Sequence, residues 1–85
     1  MLKIRGAELL DKIVISEETG RKFGVVGDFK FIVESGELLT LLLSEPTKYA
    51  REIGLEQDEK GRLMVPFSTV KSVGDFVIIS EKEII

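Results

Sequence analysis

The side chains that most often perform covalent chemistry are scarce in this chain. It has no histidine and no cysteine, so its serines and threonines lack the bases that usually activate a hydroxyl. Lysine is the remaining activator, and the stretch from Ser68 to Ser72 places Lys71 beside hydroxyl residues. A turn of the fold explains this stretch better than a catalytic pair does. We therefore expect no nucleophilic catalysis.

Pairs of adjacent acidic residues are the other candidates, either for acid–base catalysis or for binding a metal ion. Glu17-Glu18 and Asp58-Glu59 are adjacent in sequence, and adjacent residues of an extended segment point to opposite sides, which is wrong for a shared acid and base. The loop from Glu56 to Glu59 offers oxygen ligands but lacks the spacing of a calcium loop. No glycine-rich loop precedes a helix to hold a phosphate. The sequence therefore predicts a non-enzymatic protein with no catalytic residue, metal site or cofactor.

Length and charge limit what the chain can do. Its 85 residues predict one domain, residues 1–85, whose small core is marginal alone and favours completion by a partner or a second copy. A net charge of −3 gives no general attraction to nucleic acid. Without cysteine, a signal peptide or an apolar run long enough to span a bilayer, we expect a cytoplasmic protein without membrane insertion. The absence of asparagine and the abundance of Glu, Lys, Ile and Val favour a thermophile.

Apolar patterning and turn residues predict a mostly β chain. The elements, in order, are a helical turn at 6–10, a strand at 12–15, a long strand at 22–33, a third strand at 37–43, a short helix at 48–53, a fourth strand at 62–65 and a last hairpin. In the run from Val65 to Ile79, Pro66 stops a sheet ladder and Gly74-Asp75 turns the hairpin. The predicted core is Ile13, Ile15, Phe23, Val25, Phe29, Phe31, Leu39, Leu41, Val65, Val70, Phe76 and Ile78.

This order of motifs resembles the PRC-barrel family. The resemblance rests on the long strand with Gly24, Val25 and Asp28, the Ser35-Gly36 turn, Val65-Pro66, Val70 and Val73-Gly74-Asp75. Asp11 departs from the pattern, because a glycine often precedes the lysine of the first strand. The resemblance implies an all-β fold, a small six-stranded SH3-like barrel over about residues 7–80, with one short helix between strands and a C-terminal tail at 81–85.

What the resemblance implies for function is protein contact rather than catalysis. Family members include a domain of a photosynthetic reaction-centre subunit, a module of a ribosome-maturation factor and small free-standing archaeal proteins. This chain looks like the free-standing archaeal kind, some of which are implied to be adaptors that dock onto SepF-type division proteins. The expectation is a homodimeric adaptor in the cytoplasm, recruited to the division site.

The chain has more apolar residues than its small core can bury, and these surplus residues suggest where a partner protein binds. Leu38 and Leu42 lie opposite the other leucines of the third strand, and Tyr49 and Ile53 lie four apart on the short helix. The alternative for the helix pair is a lid over one end of the barrel. The predicted protein interface is Leu38, Leu42, Tyr49, Ile53, Ile84 and Ile85.

The rival hypothesis is an RNA-associated module, similar to that of the ribosome-maturation factors. Its support is a basic group, Lys3, Arg5, Arg21 and Lys22. Phe29 or Phe31 would stack on bases. Against it, both phenylalanines lie on the predicted buried face, so nucleic acid is the less favoured partner.

Overall fold

The structure, a computed structural model, describes residues 6–84. Within that range the elements are α1 (Gly6–Leu9), β1 (Ile13–Ser16), β2 (Lys22–Phe31), β3 (Leu38–Ser44), α2 (Lys48–Glu52), β4 (Met64–Pro66), β5 (Val70–Val73) and β6 (Phe76–Ile79). Single 3₁₀ turns occupy Phe67–Thr69 and Glu81–Glu83. Every predicted strand and the predicted short helix is present, with small shifts of the boundaries.

All these strands form one mixed sheet in the order β4-β3-β2-β1-β6-β5. β1 and β6 are parallel, and the other neighbouring pairs are antiparallel. The two edge strands are consecutive in the chain, because β4 ends at Pro66 and the turn Phe67–Thr69 leads directly into β5. Since one short turn joins the two ends of the sheet, the sheet bends round on itself. The fold is the small SH3-like β-barrel that the sequence predicts.

Pro66 ends the β3–β4 ladder as predicted. It pairs with Thr40 and lacks the N–H that would continue the pairing. Its carbonyl accepts a hydrogen bond of 2.7 Å from the Thr69 hydroxyl. Pro66 therefore stops one edge strand and fixes the turn toward the other.

Two irregularities in β2 decide which of its side chains face the barrel interior. The pairing with β1 shifts at Phe23, and the pairing with β3 shifts at Gly27. Each extra residue reverses the alternation of sides. Phe23 and Val26 are therefore both fully buried, although one is odd-numbered and the other even-numbered. The predicted core residues of this strand, Phe23, Val25, Phe29 and Phe31, follow a regular alternation that these irregularities break.

The core lies inside the bent sheet and is capped by parts of the helices. Its buried apolar residues are Leu9, Val14, Phe23, Val26, Leu41, Leu43, Ala50, Leu55, Leu63, Val65, Val70, Val77 and Ile79. Among the predicted core residues, Phe23, Leu41, Val65 and Val70 are confirmed. Phe29 is partly buried and packs against this cluster.

The other predicted core residues lie elsewhere, for two reasons. In β1 and β6 the buried side chains are Val14, Ser16, Val77 and Ile79. Ile13, Ile15, Phe76 and Ile78 therefore face outward, as does Val25, which is paired with Ile13. Phe31 and Leu39 lie at the far end of the β2–β3 hairpin, beyond the barrel, and are 49% and 47% exposed.

The exposure of Leu42 also differs from the prediction. Its side chain lies on the outer side of β3, yet it is only 1% exposed. It is paired with Asp28 of β2 on one side and with Met64 of β4 on the other. Arg62, just before β4, reaches Asp28 with an Nη1–Oδ2 distance of 3.3 Å. To reach Asp28, the Arg62 side chain crosses β3 on the face that carries Leu42. This crossing accounts for the burial of Leu42. The expectation that Leu42 is left uncovered by a single barrel is wrong.

Helix α2 covers one end of the barrel. The Thr47 hydroxyl caps it by accepting from the Ala50 N–H at 3.2 Å. Ala50 is fully buried, and Tyr49 and Ile53 pack partly buried against the core. Gly54 follows with a φ of 83°, the left-handed conformation in which many helices end.

Candidate functional site

The hydroxyl-rich stretch around Lys71 has a structural explanation. Thr69 is buried and bonds the Pro66 carbonyl. The Lys71 ammonium pairs with Glu83 of the C-terminal 3₁₀ turn, and this pairing raises the pKa of Lys71. A lysine held as a cation by a carboxylate is a poor base for a neighbouring serine. The geometry therefore matches a turn tied to the C-terminal segment.

Asp58, one of the candidate acidic residues, is likewise engaged in contacts within the fold. Asp58 accepts hydrogen bonds from the Lys60 and Arg62 N–H groups and from the Arg62 side chain at 2.9 Å. Burial opposes its ionisation, but these Arg62 and Lys60 contacts outweigh burial and lower the pKa of Asp58. In residues 6–84, no three acidic side chains come together as a metal site would require.

A polar network that sequence reasoning missed holds the C-terminal turn. Glu81 is only 8% exposed and accepts hydrogen bonds from the Tyr49 hydroxyl and, at 3.0 Å, from the Thr19 hydroxyl. Glu18 accepts from the Ser80 hydroxyl at 2.8 Å and from the Glu81 N–H at 2.7 Å. The network links the β1–β2 turn, α2 and the segment after β6. No sequence signal marks it, because the segment from Glu81 reads as a charged tail.

These contacts set the charge states within the network. The hydrogen bond from Tyr49 lowers the pKa of Glu81, and the same bond raises the pKa of Tyr49. The Ser80 hydroxyl lowers the pKa of Glu18. Lower pKa values favour the ionised form of both carboxylates, and their hydrogen bonds fasten the C-terminal turn to the rest of the fold.

The residues predicted as a protein interface are mostly packed into the fold. Leu38, Tyr49, Ile53 and Ile84 are partly buried against the core, and Leu42 is fully covered. Tyr49 also packs edge-on against Phe23 and lies under the Arg21 guanidinium, 4.7 Å from the ring centre. Ile85 lies outside the described residues. This packing matches the alternative of a lid over the barrel end, and a partner contact at these residues stays a prediction.

Of the residues proposed for RNA contact, Lys3 and Arg5 lie outside the described residues. Arg21 is stacked on Tyr49, just before β2, whereas Phe31 lies at the other end of that strand. Among the described residues, the structure therefore does not bring Arg21 and Phe31 onto one surface.

The outward face of three adjacent strands carries a continuous apolar surface instead. β2, β1 and β6 are neighbours in the sheet, and their outward residues are Val25, Ile13, Ile15, Phe76 and Ile78. We call these five residues the outer patch. Phe76 is 44% exposed and the other four are half-buried. None of them belongs to the core cluster or packs against it.

Pairing partners show that the outer patch is one surface. Ile13 lies between Val25 and Phe76 in one row across the sheet, and Ile15 lies beside Ile78 two residues further along. Directly paired residues share a face and have their Cβ atoms about 5 Å apart. The signal available in the sequence was the apolar character of both sides of β1 and β6. It indicated a second apolar face but could not say which face was inside.

Another apolar surface, more exposed than the outer patch residue by residue, lies at the end of the β2–β3 hairpin. It comprises Phe31, Val33 and Leu39, and Val33 is 82% exposed. The Phe29 and Phe31 rings are 5.9 Å apart. We call this surface the hairpin tip. It is flanked by exposed Glu34 and Glu37.

Comparison with known proteins agrees with the fold. The family model of the PRC-barrel domain matches residues 1–84, essentially the whole chain. A search of curated proteins found no match to this chain. Among the described residues, no helix has the length and apolar character needed to cross a membrane.

Proposed function

Because the chain belongs to the PRC-barrel domain family, we propose that it is a non-catalytic, homodimeric adaptor that acts by protein–protein contact. A PRC-barrel domain is compatible with a small interaction module, and the described side chains offer this function a surface. The network around Glu81 and the ion pairs of Arg62 and Lys71 serve the fold itself.

The observation that carries the proposal is the outer patch. A single barrel needs one apolar face for its core, and a second apolar face across three strands adds less to the stability of the isolated domain than the core face does. Contiguous exposed apolar surface on a small domain marks interaction sites. Phe76, the most exposed residue of the patch, is an aromatic of the kind that anchors interfaces.

The cell-division role is a finer proposal and rests on the family resemblance alone. In that form, the adaptor binds a SepF-type division protein. A recombinant SepF-type protein should then bind the folded wild-type chain, and no binding would remove the division role.

The general function is tested by site-specific photocrosslinking in an extract of the source organism. A photoreactive amino acid replaces Ile78 in the centre of the outer patch, and the matched control carries it at Glu59 in the exposed loop before β4. We expect protein adducts at Ile78 well above those at Glu59, with the same yield after nuclease treatment and at high salt. Equal yields at the two positions would overturn the proposal. Adducts that disappear with nuclease would favour the RNA-associated alternative.

A further inference from the structure

We propose that the occupant of the outer patch is a second copy of this chain, packed face to face about a two-fold axis, with Lys22 of each copy opposite Asp75 of the other. The inference rests on the function proposed above, because it names the partner and the contacts for the same surface. The evidence for this pairing is the arrangement of apolar and charged residues on the outward face of the sheet.

The pairing register gives each residue of this face a position. Ile15 is paired with Lys22 of β2 on one side and with Ile78 of β6 on the other. Ile78 is paired in turn with Ser72 of β5. Lys22 therefore lies at one end of this row, on the same face as the patch, and both Lys22 and Ser72 are exposed.

Asp75 lies at the diagonally opposite corner. The other row ends in Phe76 of β6, and Asp75 precedes Phe76 in the β5–β6 turn. Asp75 is exposed. In residues 6–84, the ion pairs formed are those of Arg62 and Lys71, and neither Lys22 nor Asp75 takes part in one. Lys22 and Asp75 thus lie at opposite corners of the outer patch, and Lys12 is held at the Asp75 corner by its contact with the Gly74 carbonyl.

Opposite charges at opposite corners make the patch complementary to itself. In a two-fold contact, if residue i touches residue j, then j touches i. For two faces packed together the axis lies in the contact plane. An axis along the diagonal from Ile13 to Ile78 places these two residues near the axis. It brings Lys22 opposite Asp75 and Ile15 opposite Phe76, each twice, so these two charged residues meet with opposite sign.

The shape of the surface near Phe76 agrees with this arrangement. A shallow groove of about 320 Å³ runs beside β5 and β6, and its lining includes Ser72, Asp75 and Phe76. In the proposed dimer this groove faces Ile15 and Lys22 of the second copy. Apolar residues then fill its floor while the lysine reaches the aspartate at its rim.

The hairpin tip does not have this self-complementarity. Its flanking charges are Glu34 and Glu37 against a single Lys30, all exposed. A two-fold contact at the tip would bring together two copies that each carry an excess of negative charge, which is unfavourable. The second copy is therefore assigned to the outer patch, and Phe31 at the tip serves as a control with nearly the same exposure as Phe76.

Charge reversal tests the predicted pairs, using the full chain and sedimentation over a range of concentrations. Lys22→Asp and Asp75→Lys should each weaken self-association by roughly tenfold, since two symmetric pairs become repulsive. The double variant should return to within about threefold of the wild type. Circular dichroism melts show whether each variant remains folded. Single reversals without effect, or a double variant weaker than both singles, would overturn the Lys22–Asp75 contact.

Single cysteines test the axis itself, which is possible because the chain contains no native cysteine. Ile13→Cys and Ile78→Cys lie near the axis and should each form a disulfide-linked dimer on mild oxidation. Phe31→Cys at the hairpin tip should remain mostly uncrosslinked. Dimers formed faster by Phe31→Cys would overturn the assignment of the surface.

The two proposals fail in distinguishable ways. A wild-type chain that stays monomeric at every concentration, while photocrosslinking at Ile78 still captures another protein, would refute self-pairing and leave the adaptor function standing. Absence of both self-association and protein adducts at Ile78 would refute both. A dimer that is unaffected by Phe76→Ser but lost in Phe31→Ser would move the contact to the hairpin tip and overturn the present inference.

Discussion

The assignment of faces in β1 is tested by replacing two adjacent residues, Val14 and Ile13, each with alanine. Val14 is fully buried in the core, whereas Ile13 is half-buried on the outer patch. Val14→Ala removes two buried carbons, which costs about 1.6 kcal/mol in transfer free energy. The cavity left behind adds about 1 kcal/mol. The free energy of unfolding should therefore fall by about 2 to 3 kcal/mol.

Ile13→Ala removes more carbon but should cost less. Its side chain is already partly in water, and removal leaves no closed cavity, so the free energy of unfolding should fall by about 1 kcal/mol. Urea unfolding followed by circular dichroism measures both variants. With a slope near 1 kcal/mol per molar urea, the midpoint should move by about 2 to 3 M for Val14→Ala and about 1 M for Ile13→Ala.

Protein concentration separates the two roles of Ile13. At concentrations low enough for the chain to be monomeric, only its own packing is measured. At high concentration, linkage to dimer formation stabilises the wild type and should enlarge the effect of Ile13→Ala but not that of Val14→Ala. An Ile13→Ala cost equal to or above that of Val14→Ala at low concentration would refute the assignment of faces.

Three further predictions concern other parts of the fold. Leu42→Glu should unfold the chain or destabilise it by more than about 3 kcal/mol, because it buries a carboxylate. Leu39→Glu, at an exposed site of the same strand, should melt like the wild type by circular dichroism. Asp11 has a φ of 68°, so in thermal melts Asp11→Gly should be at least as stable as the wild type and Asp11→Ala less stable by about 1 kcal/mol. The folded-state pKa values of Glu18 and Glu81 lie below the ordinary value of 4.5. Their stabilisation is therefore complete above that pH and is lost as the pH falls through the lowered values. The melting temperature should decline more steeply below pH 4.5 in the wild type than in Glu81→Gln, and parallel declines would contradict this role of the network.

The order of elements was predictable because local residues determine it. Pro66 stops β4, and Gly54 ends α2 in the left-handed conformation that glycine adopts readily. Gly74 and Asp75 turn β5 into β6. Each of these signals acts within a few residues, so the sequence alone was sufficient. The departure at Asp11 also has a local explanation, since its positive φ is one that glycine adopts with less strain.

The candidate site was predicted less well, because long-range pairing determines it. Bulges at Phe23 and Gly27 reverse the alternation of β2, and they are defined only by the partner strands. The cover over Leu42 depends on an ion pair between Asp28 and Arg62, which are 34 residues apart. The burial of Glu81 likewise depends on donors from distant turns. No periodicity within a single segment contains this information.

The ambiguity in β1 and β6 is itself informative about function. Ile13, Val14 and Ile15 are all apolar, so a period of two cannot say which residues face the core. The same is true of Phe76 to Ile79. By contrast, β5 carries Lys71 and Ser72 and is polar on its outward side. A strand whose only task is to support a core gains nothing from a second apolar side, and exposing that side lowers solubility. β1 and β6, which are apolar on both sides, supply four of the five residues of the outer patch. The feature that made the core assignment fail therefore marks the surface where we place the contact with a partner.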